Sequence, residues 1–332
     1  MMKITVLGSG GWGTALAQLL ADNNHEVTLW SHTPAKAEAM QRSRENPLLP
    51  QRKLHERLLV TSDISCVDAA EMVVFATPSF AVRSTAALAA AHIREGAVLV
   101  TVSKGIEKKT HRRMSEIVAE ETGNRFPVVA LSGPSHAEEV VMGLPTGCVA
   151  ACADKLAAEK VQDAFMNNLF RVYSSPDIVG VEICGALKNV VALCCGICDG
   201  MGYEDNTKAL LMTRSMTEMA RLGEALGGKP QTFAGLAGMG DLIVTCTSMH
   251  SRNRRAGILI GGGKTAEEAM EAVGAVVEGY YAAESAWALA KEMDIEMPIC
   301  NAVHAVLYEG ADPLAMLREL MQREKKEESS WI

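Results

Sequence analysis

The chain has 332 residues, of which 48% are apolar and 22% charged, and its formal net charge is −8. This length exceeds what one hydrophobic core usually organises, so we expect two domains. The surplus of acidic residues argues against broad binding to nucleic acid or to anionic membranes, because both require a surplus of basic residues. A small phosphorylated ligand is not excluded, since one local pair of cations is enough to bind it.

The sequence carries no feature of export or membrane insertion. Met1–Lys3 leads directly into the strand-like Ile4–Leu7, without the small-residue cleavage site of a signal peptide. No apolar run is long enough and free enough of charge to predict a membrane helix. We therefore expect a cytoplasmic protein.

Nine cysteines are present, and an odd count in a cytoplasmic chain argues against a framework of disulfides. Cys195 and Cys198 form a C-x-x-C pair inside an apolar run, but no second pair and no pair of histidines accompanies it. We interpret these thiols as buried packing residues rather than as a metal or redox site.

The first half of the chain alternates strand and helix patterns. Its strand-like runs are rich in Val and Ile and mostly unbroken, which is typical of strands buried on both faces of a parallel sheet. The runs are Ile4–Leu7, Glu26–Trp30, Leu58–Thr61, Met72–Ala76, Ala97–Val102 and Val128–Leu131, with Gly147–Ala151 as a further candidate. This alternation predicts a doubly wound, Rossmann-type α/β domain.

The texture changes at Tyr173–Pro176, and the second half predicts an all-α domain. Helical or continuously apolar segments are Asp177–Cys198, Lys208–Leu226, Thr265–Val273, Tyr281–Met293 and Pro313–Lys325. We place the two domains at residues 1–174 and 175–332. The charged tail Arg323–Ser330 is expected to fray into solvent.

A glycine-rich turn follows the first strand-like run, with the sequence Gly8-Ser9-Gly10-Gly11-Trp12-Gly13. Gly8 permits a tight turn, Gly10 lets a pyrophosphate approach the backbone, and Gly13 lets the next helix pack on the sheet. That helix, predicted over Trp12–Asn23, directs its first N–H groups at the phosphates. Because the turn lies between a strand and a helix, it predicts that domain 1–174 binds a dinucleotide rather than forming a turn without a ligand.

The second strand-like run ends in Leu29–Thr33 and contains no acid there. An acid at this position binds the ribose 2′-hydroxyl of NAD, so its absence slightly favours NADP(H) while leaving NAD(H) open. His32 is a candidate contact for the adenosine end, the alternative being an ordinary surface histidine.

Four further segments contain candidate catalytic or phosphate-binding residues. Lys104 follows a buried strand at the sheet edge where ligands bind, so it can meet a phosphate or polarise a carbonyl, unless it is a solvated loop lysine. Lys188 interrupts an apolar helix, and a buried ammonium must shift its pKa, find a partner or serve catalysis. A lysine with a lowered pKa suits general acid–base chemistry, and the alternative is a side chain that reaches the surface.

Asp241 also lies in apolar sequence, so pairing with Lys188 is expected, with a helix N-cap as the alternative. The basic run Ser251–Arg255 contains arginines, which suit phosphate recognition. Alone, such a run is usually a solvated face.

Together these segments resemble the bacterial-type NAD(P)-dependent glycerol-3-phosphate dehydrogenase family, over nearly the whole chain from Gly8 to about Tyr308. The most specific shared segments are the glycine turn through Ala15, Ser103–Gly105, Leu131–Ser135, Gly185–Asn189, Gly238–Leu242, Ser251–Arg254 and Val277–Tyr280. The resemblance implies a homodimer that interconverts sn-glycerol 3-phosphate and dihydroxyacetone phosphate with NAD(P)(H), supplying glycerol 3-phosphate for glycerophospholipid synthesis.

The resemblance also implies residue roles. Lys188 is the proton donor and acceptor, Lys104 and Asp241 share the catalytic site, and Thr245 belongs to its network. The implied substrate contacts are Lys104, Gly133, Ser135, Lys188, Asp241, Ser251, Arg252 and Asn253. The cofactor contacts, including the glycines of the turn, are Gly8, Gly10, Gly11, Trp12, Gly13, His32, Lys104, Ala137, Arg252, Val276 and Glu278. No metal is implied.

Two alternatives stay open from the residues alone. A related two-domain dehydrogenase acting on a 3-hydroxy acid, a ketopantoate-like substrate or a sugar acid shares the glycine turn and a helical second domain. A non-catalytic dinucleotide sensor keeps the turn but needs neither Lys188 nor Asp241.

Overall fold

The computed structural model describes residues 1–325 and 327–328, in two compact units. Unit 1 comprises Met1–Lys104 and Arg112–Glu182, and unit 2 comprises Gly105–His111 and Ile183–Ile332. This division falls after Glu182 rather than after residue 174, and the domain bounds expected from the sequence stay a prediction. Part of the charged tail, Lys326 and 329–330, lies outside the described residues.

Unit 1 is built on one sheet, which has eight strands in the described residues. They are β1 (Lys3–Leu7), β2 (Glu26–Trp30), β3 (Leu59–Thr61), β4 (Met72–Phe75), β5 (Val98–Thr101), β6 (Val128–Ser132), β7 (Thr146–Ala151) and β8 (Phe170–Ser175). Their order across the sheet is β3-β2-β1-β4-β5-β6-β7-β8. The pairs among the first six are parallel, β6 and β7 are antiparallel, and β7 and β8 are parallel. The order 3-2-1-4-5-6 confirms the Rossmann-type topology.

Helices cover both faces of this sheet, which confirms the doubly wound architecture. Successive residues of a strand point to opposite faces, so Met72 and Val74 join one core while Val73 and Phe75 join the other. The first core includes residues of α1 (Gly11–Asp22), α2 (Pro34–Ser43), α5 (Ala137–Val141) and α6 (Lys155–Phe165). The second includes residues of α3 (Val82–Ala89) and α4 (Met114–Glu121).

The structure confirms the candidate strand at 147–151 as β7, whereas β8 was not predicted from the sequence. In β8, buried Phe170 and Val172 alternate with exposed Arg171 and Tyr173. Such alternation belongs to an edge strand with one buried face, whereas the prediction relied on unbroken apolar runs.

Helices make up the second half of the described chain, as predicted. They are α7 (Ile178–Gly200), α8 (Asp205–Ala225), α9 (Pro230–Phe233), α10 (Asp241–Thr247), α11 (Arg252–Gly261), α12 (Ala266–Val273), α13 (Glu278–Glu292), α14 (Pro298–Tyr308) and α15 (Pro313–Met321). A π-helical turn, Leu236–Gly240, leads directly into α10. Helices α9, α10, α11 and α14 were not predicted from the sequence.

Helix α7 corrects one expectation. Its 23 residues are long and apolar enough, by length and composition, to cross a membrane, although we expected no such run from the sequence. However, 89% of its most apolar window is buried inside the protein. The burial identifies α7 as the central helix of a protein core.

Candidate active site

The glycine turn joins β1 to α1 with the geometry expected of a phosphate-binding turn. Gly8 has a φ of +125°, and a Cβ added there would lie 2.6 Å from the carbonyl oxygen of Ala76. A Cβ at Gly13 would lie 2.0 Å from the carbonyl oxygen of Gly8, so only glycine lets α1 pack this closely. A Cβ at Gly10 would meet open space, which leaves this part of the turn accessible to a ligand.

The start of α1 is suited to an anion. Helix α1 begins at Gly11, and among the described residues no side chain caps it. Its first N–H groups therefore retain hydrogen-bonding capacity at the positive end of the helix dipole. The first residue of α5, Ala137, lies beside Gly11: its Cβ would be 3.8 Å from a Cβ added to that glycine.

Several buried polar atoms around this edge have no hydrogen-bond partner in the part of the chain that the structure describes. They are Trp12 Nε1 in α1, Thr77 Oγ1 just after β4, Thr101 Oγ1 at the end of β5 and Ser132 Oγ at the end of β6. Buried polar groups are normally paired, so this set deserves a functional explanation. With the uncapped α1 and the open space at Gly10, it fits a dinucleotide bound at the carboxyl ends of the parallel strands.

Polar side chains brace the turn at Ser9. The Ser9 hydroxyl donates to the Ser31 hydroxyl at 2.9 Å, and both residues are buried. The Ser9 carbonyl accepts from Lys36 Nζ at 2.8 Å and from Asn46 Nδ2 at 3.2 Å. His32 is exposed, and its Nε2 lies 3.1 Å from the Thr33 hydroxyl.

The structure brings three predicted substrate contacts together in unit 1. Lys104 Nζ donates to the carbonyl oxygen of Gly133 at 3.2 Å, and the Ser135 hydroxyl donates to the same oxygen at 2.8 Å. Ser103 fixes the loop, because its hydroxyl donates to the carbonyl oxygen of Thr77 at 2.5 Å. This arrangement holds an ammonium group and a hydroxyl at one end of the sheet.

In unit 2, Lys188 forms the predicted buried pair with Asp241. The side chains are 8% and 1% exposed, and Lys188 Nζ donates to Asp241 Oδ1. Lys188 Nζ also donates to the Thr245 hydroxyl at 2.8 Å, which donates to the main-chain oxygen of Asp241 at 2.6 Å. The arrangement excludes the alternative of a surface-seeking lysine, since the ammonium is buried.

The elements that carry these residues explain their convergence. Lys188 lies in α7, while Asp241 and Thr245 are one turn apart on α10. The preceding π-helical turn, a feature frequent at functional sites, introduces α10. Gly240 occupies the N-cap position of α10 and Asp241 is the first residue of the helix, so Asp241 is not its N-cap residue.

A network of amide groups, which the sequence did not predict, joins Asn253, one of the expected substrate contacts, to Asn189 beside Lys188. Asn253 Nδ2 donates to Asn189 Oδ1 at 2.9 Å, and Asn253 Oδ1 accepts from the Gly279 N–H at 2.8 Å. Both asparagines are buried. A signal that could have indicated Asn189 is its place beside Lys188, as a second polar residue in the apolar run.

The basic run begins α11, where its residues have different surroundings. Ser251 is buried and caps the helix, its hydroxyl accepting from the Arg254 N–H at 3.2 Å. Arg252 is exposed, whereas Arg254 Nε donates to Asp199 at 2.8 Å. Val276 and Glu278 are partly buried at the start of α13, next to the Gly279 that Asn253 holds.

The C-x-x-C pair lies in the apolar interior of α7. All nine cysteines are free, and burial raises the pKa of Cys300 well above its ordinary value. The pKa of Cys194 is also raised; its hydrogen bond with Cys198 is the larger cause and burial is the second. Among the described residues, no group of three or more His, Cys, Asp or Glu side chains is placed to hold a metal ion.

Comparison with known proteins identifies the family in both halves of the chain. Residues 3–158 match the N-terminal model of NAD-dependent glycerol-3-phosphate dehydrogenase, and residues 177–318 match the C-terminal model. The chain is 50% identical over 335 residues to glycerol-3-phosphate dehydrogenase [NAD(P)+] of Fusobacterium nucleatum subsp. nucleatum, covering 100% of both chains. It is 51% identical to the same enzyme of Moorella thermoacetica, covering 99% of each.

A solved structure shows the same relationship. The crystal structure of glycerol-3-phosphate dehydrogenase from Coxiella burnetii superposes with a TM-score of 0.93 at 38% identity, covering 97% of this chain and 99% of that one. Because both family models match and the relatives are aligned over their full lengths, the chain belongs to the NAD-dependent glycerol-3-phosphate dehydrogenase family.

Proposed function

We propose that this chain interconverts sn-glycerol 3-phosphate and dihydroxyacetone phosphate with NAD(P)(H), supplying glycerol 3-phosphate for glycerophospholipid synthesis. The observation that carries the proposal is the buried Lys188–Asp241–Thr245 network, in a chain whose full-length relatives are named for this reaction. A sensor that only bound the dinucleotide would have no use for a buried ammonium group paired with a carboxylate.

The glycine turn and the start of α1 hold the cofactor pyrophosphate through backbone N–H groups. Trp12, His32 and Ala137 provide further contacts in unit 1. Lys104, Arg252, Val276 and Glu278 complete the proposed cofactor contacts. When bound, the nicotinamide supplies the hydride for C2 of dihydroxyacetone phosphate or receives it in the reverse direction.

The substrate phosphate is assigned to the start of α11. Arg252 supplies an exposed guanidinium there, and arginine matches the geometry of phosphate oxygens. The Ser251 hydroxyl and the Asn253 amide adjoin it, while Asn253 is itself fixed by Asn189 and Gly279. Lys104, Gly133 and Ser135 bind the remainder of the substrate.

Lys188 is the proposed general acid and base. In reduction of the ketone, negative charge develops on the C2 oxygen, and Lys188 donates a proton from Nζ to form the hydroxyl group. In oxidation, the neutral amine removes that proton. Asp241 and Thr245 orient Nζ, and the carboxylate stabilises the ammonium form. One proton and one hydride are thus added to the ketone, which balances the reaction.

We also propose that the protein is cytoplasmic and homodimeric. Free cysteines throughout the chain agree with a reducing compartment. The dimer rests on the family resemblance, and multi-angle light scattering of the purified chain would contradict it with a monomer mass.

The reaction is tested by initial rates with dihydroxyacetone phosphate and either NADH or NADPH, followed by product identification. We expect turnover with the phosphorylated ketone and much slower turnover with ketopantoate or 3-oxo acids. Binding of NADPH without turnover of any of these substrates would favour the sensor instead.

A further inference from the structure

Lys36, in the first turn of α2, extends back to the glycine turn between β1 and α1. Its Nζ donates to the carbonyl oxygen of Ser9 at 2.8 Å, and Ser9 lies between Gly8 and Gly10. The side chain is partly buried, and this burial lowers the pKa of Lys36. The structure therefore holds an ammonium group beside the turn proposed to bind the cofactor.

The Ser9 carbonyl does not need this ammonium group. Asn46 is buried, and its Nδ2 donates to the same carbonyl at 3.2 Å and lies 2.8 Å from the Thr14 hydroxyl. A neutral amide thus already satisfies the carbonyl. Partial burial of a lysine charge costs free energy, so its position requires a further explanation.

Within the described residues, Lys36 has no carboxylate at ion-pairing distance, and its one hydrogen bond is to the neutral Ser9 carbonyl. A lysine ammonium has three N–H bonds, and Ser9 accepts only one. Lys36 is therefore fixed in direction but not neutralised, as expected of a residue that meets an anionic ligand.

The surrounding residues indicate which part of the ligand this is. In Rossmann domains the end of the second strand and the adjacent turn face the adenosine ribose, where an acid binds the 2′-hydroxyl of NAD. Here β2 ends at Trp30, whose indole N–H donates to the Ser62 carbonyl at 3.0 Å. Ser31 follows, buried and hydrogen-bonded to Ser9. Neither side chain repels a phosphate, and Lys36 supplies a positive charge.

We infer that Lys36 recognises the 2′-phosphate of NADP(H) and is the main determinant of a preference for NADP(H) over NAD(H). The inference rests on the proposed function, because it requires the dinucleotide to bind at the glycine turn. The Ser9 carbonyl orients the ammonium group, and the other N–H bonds donate to the phosphate oxygens. His32, exposed at the same strand end, is a neighbouring contact rather than the source of the selectivity.

The test measures binding of NADPH and NADH to the full-length protein by calorimetry, without substrate. We expect the wild type to bind NADPH more tightly. Lys36→Met keeps the apolar stem but removes the charge, so the NADPH Kd should rise about tenfold to a hundredfold, as for a lost charge-assisted hydrogen bond. The NADH Kd should change by less than about twofold. Lys36→Arg should retain most of the NADPH affinity.

Two controls separate recognition of the phosphate from support of the turn. Lys155→Met removes an exposed lysine from α6 in the same unit and should leave both affinities unchanged. The fragment 2′,5′-ADP, which carries the phosphate but no nicotinamide, should lose affinity for Lys36→Met, whereas 5′-ADP should not. Thermal melting of each variant checks that unit 1 is folded.

Each contrary outcome has a distinct meaning. Equal weakening of NADPH and NADH by Lys36→Met would show that the lysine only supports the turn, and the inference would be wrong. Unchanged NADPH binding in that variant, or tighter NADH binding by the wild type, would overturn it as well. Failure of the folded wild type to bind either dinucleotide would contradict the proposed function itself, and the inference with it.

Discussion

The position of Lys188 satisfies two physical requirements through two partners, Asp241 and Thr245. Lys188 must remain inside the protein, where an isolated ammonium is unstable, and it must be able to exchange a proton with the substrate. Asp241, 1% exposed, provides the opposite charge, and Thr245 fixes the direction of Nζ. The same contacts that make burial tolerable also orient the group for catalysis.

Lys188→Ala is expected to lower kcat by about two to four decades, the usual effect of removing a general acid or base. Because this variant leaves Asp241 buried without its partner, Lys188→Arg is a necessary second variant: it preserves the charge but does not release a proton readily. Steady-state kinetics of both, with thermal melting, makes the test.

The control for Lys188 is Lys264→Ala, which removes an exposed lysine from the same unit and should retain wild-type turnover. NADPH binding should change little in either Lys188 variant, because the glycine turn is intact. A kcat within about threefold of wild type in Lys188→Ala would remove this residue from the mechanism.

Arg252→Ala is expected to raise KM for dihydroxyacetone phosphate by about tenfold to a hundredfold, since a charge-assisted contact to the phosphate is lost. Initial-rate kinetics at saturating cofactor measure it. Arg318→Ala, an exposed arginine in α15, is the matched control. An unchanged KM would contradict the assignment of the phosphate to α11.

At the scale of elements, glycines bring α7 and α11 into direct backbone contact. A Cβ added to Gly196 would lie 2.2 Å from the Arg254 carbonyl oxygen, and one added to Gly257 would lie 2.2 Å from the Leu193 carbonyl oxygen. This approach lets Asn189 on α7 reach Asn253 on α11. Packing between the two helices therefore determines where the proposed phosphate site lies relative to Lys188.

Gly257→Ala is expected to separate these helices. The added methyl group would overlap main-chain atoms of α7, which cannot rotate away as a side chain can. Overpacking of this kind usually costs about 1–3 kcal/mol. Thermal melting should show the loss, and KM for dihydroxyacetone phosphate should rise with it. Gly262→Ala, at the end of α11, is the control: its nearest contact would be 3.3 Å. Equal melting temperatures for the two variants would refute the packing argument.

The sequence predicted elements and residues whose signal is local. Unbroken apolar runs revealed the parallel strands, and Lys188 and Asp241 were conspicuous as charges in apolar sequence. Strand β8 was missed because half of its residues face solvent. Helix α11 was missed because basic residues obscure its apolar face.

Other features depend on contacts between distant segments, which a single sequence does not specify. The bond between Asn189 and Asn253 joins residues 64 positions apart, and Lys36 contacts a carbonyl 27 positions away. Each residue alone is ordinary: an asparagine in a helix, or a lysine in an exposed first turn. Their importance becomes visible only when the fold shows what they contact.

At the scale of the whole molecule, the chain passes between the units more than once. Residues 105–111 belong to unit 2, although unit 1 precedes and follows them. The second stretch of unit 1 is Arg112–Glu182. Within it, Arg113 near the beginning contacts Glu182 at the end, where Arg113 Nη1 and Glu182 Oε2 are 2.5 Å apart. Glu182 also accepts from the Ser115 N–H at 2.8 Å, so these contacts join the beginning and the end of the second stretch of unit 1.

We expect Glu218 of α8 to make the stability of the molecule depend on pH. Its carboxyl oxygens accept from the N–H groups of Ile299 and Cys300, at 2.7 and 3.1 Å, in the first turn of α14. Burial raises the pKa of Glu218 from 4.5 to about 7, despite the opposing effect of these two bonds and of Arg221 and Arg323. The folded protein therefore binds this proton more tightly than the unfolded chain does.

The stabilisation from this proton is fully present below pH 4.5 and is lost as the pH rises to about 7. The loss amounts to roughly 3 kcal/mol if the whole shift is expressed. Glu218→Gln cannot ionise, so its free energy of unfolding should increase relative to wild type across this window, and the difference should be constant above it. Denaturant unfolding from pH 4.5 to pH 8 measures the difference.

The control is Glu224→Gln, which replaces an exposed glutamate on the same helix and should show no such trend. Burial also raises the pKa of Glu182, so wild-type stability alone is not diagnostic, and only the difference between variants isolates Glu218. A pH-independent difference would show that Glu218 ionises at its ordinary pKa despite its burial.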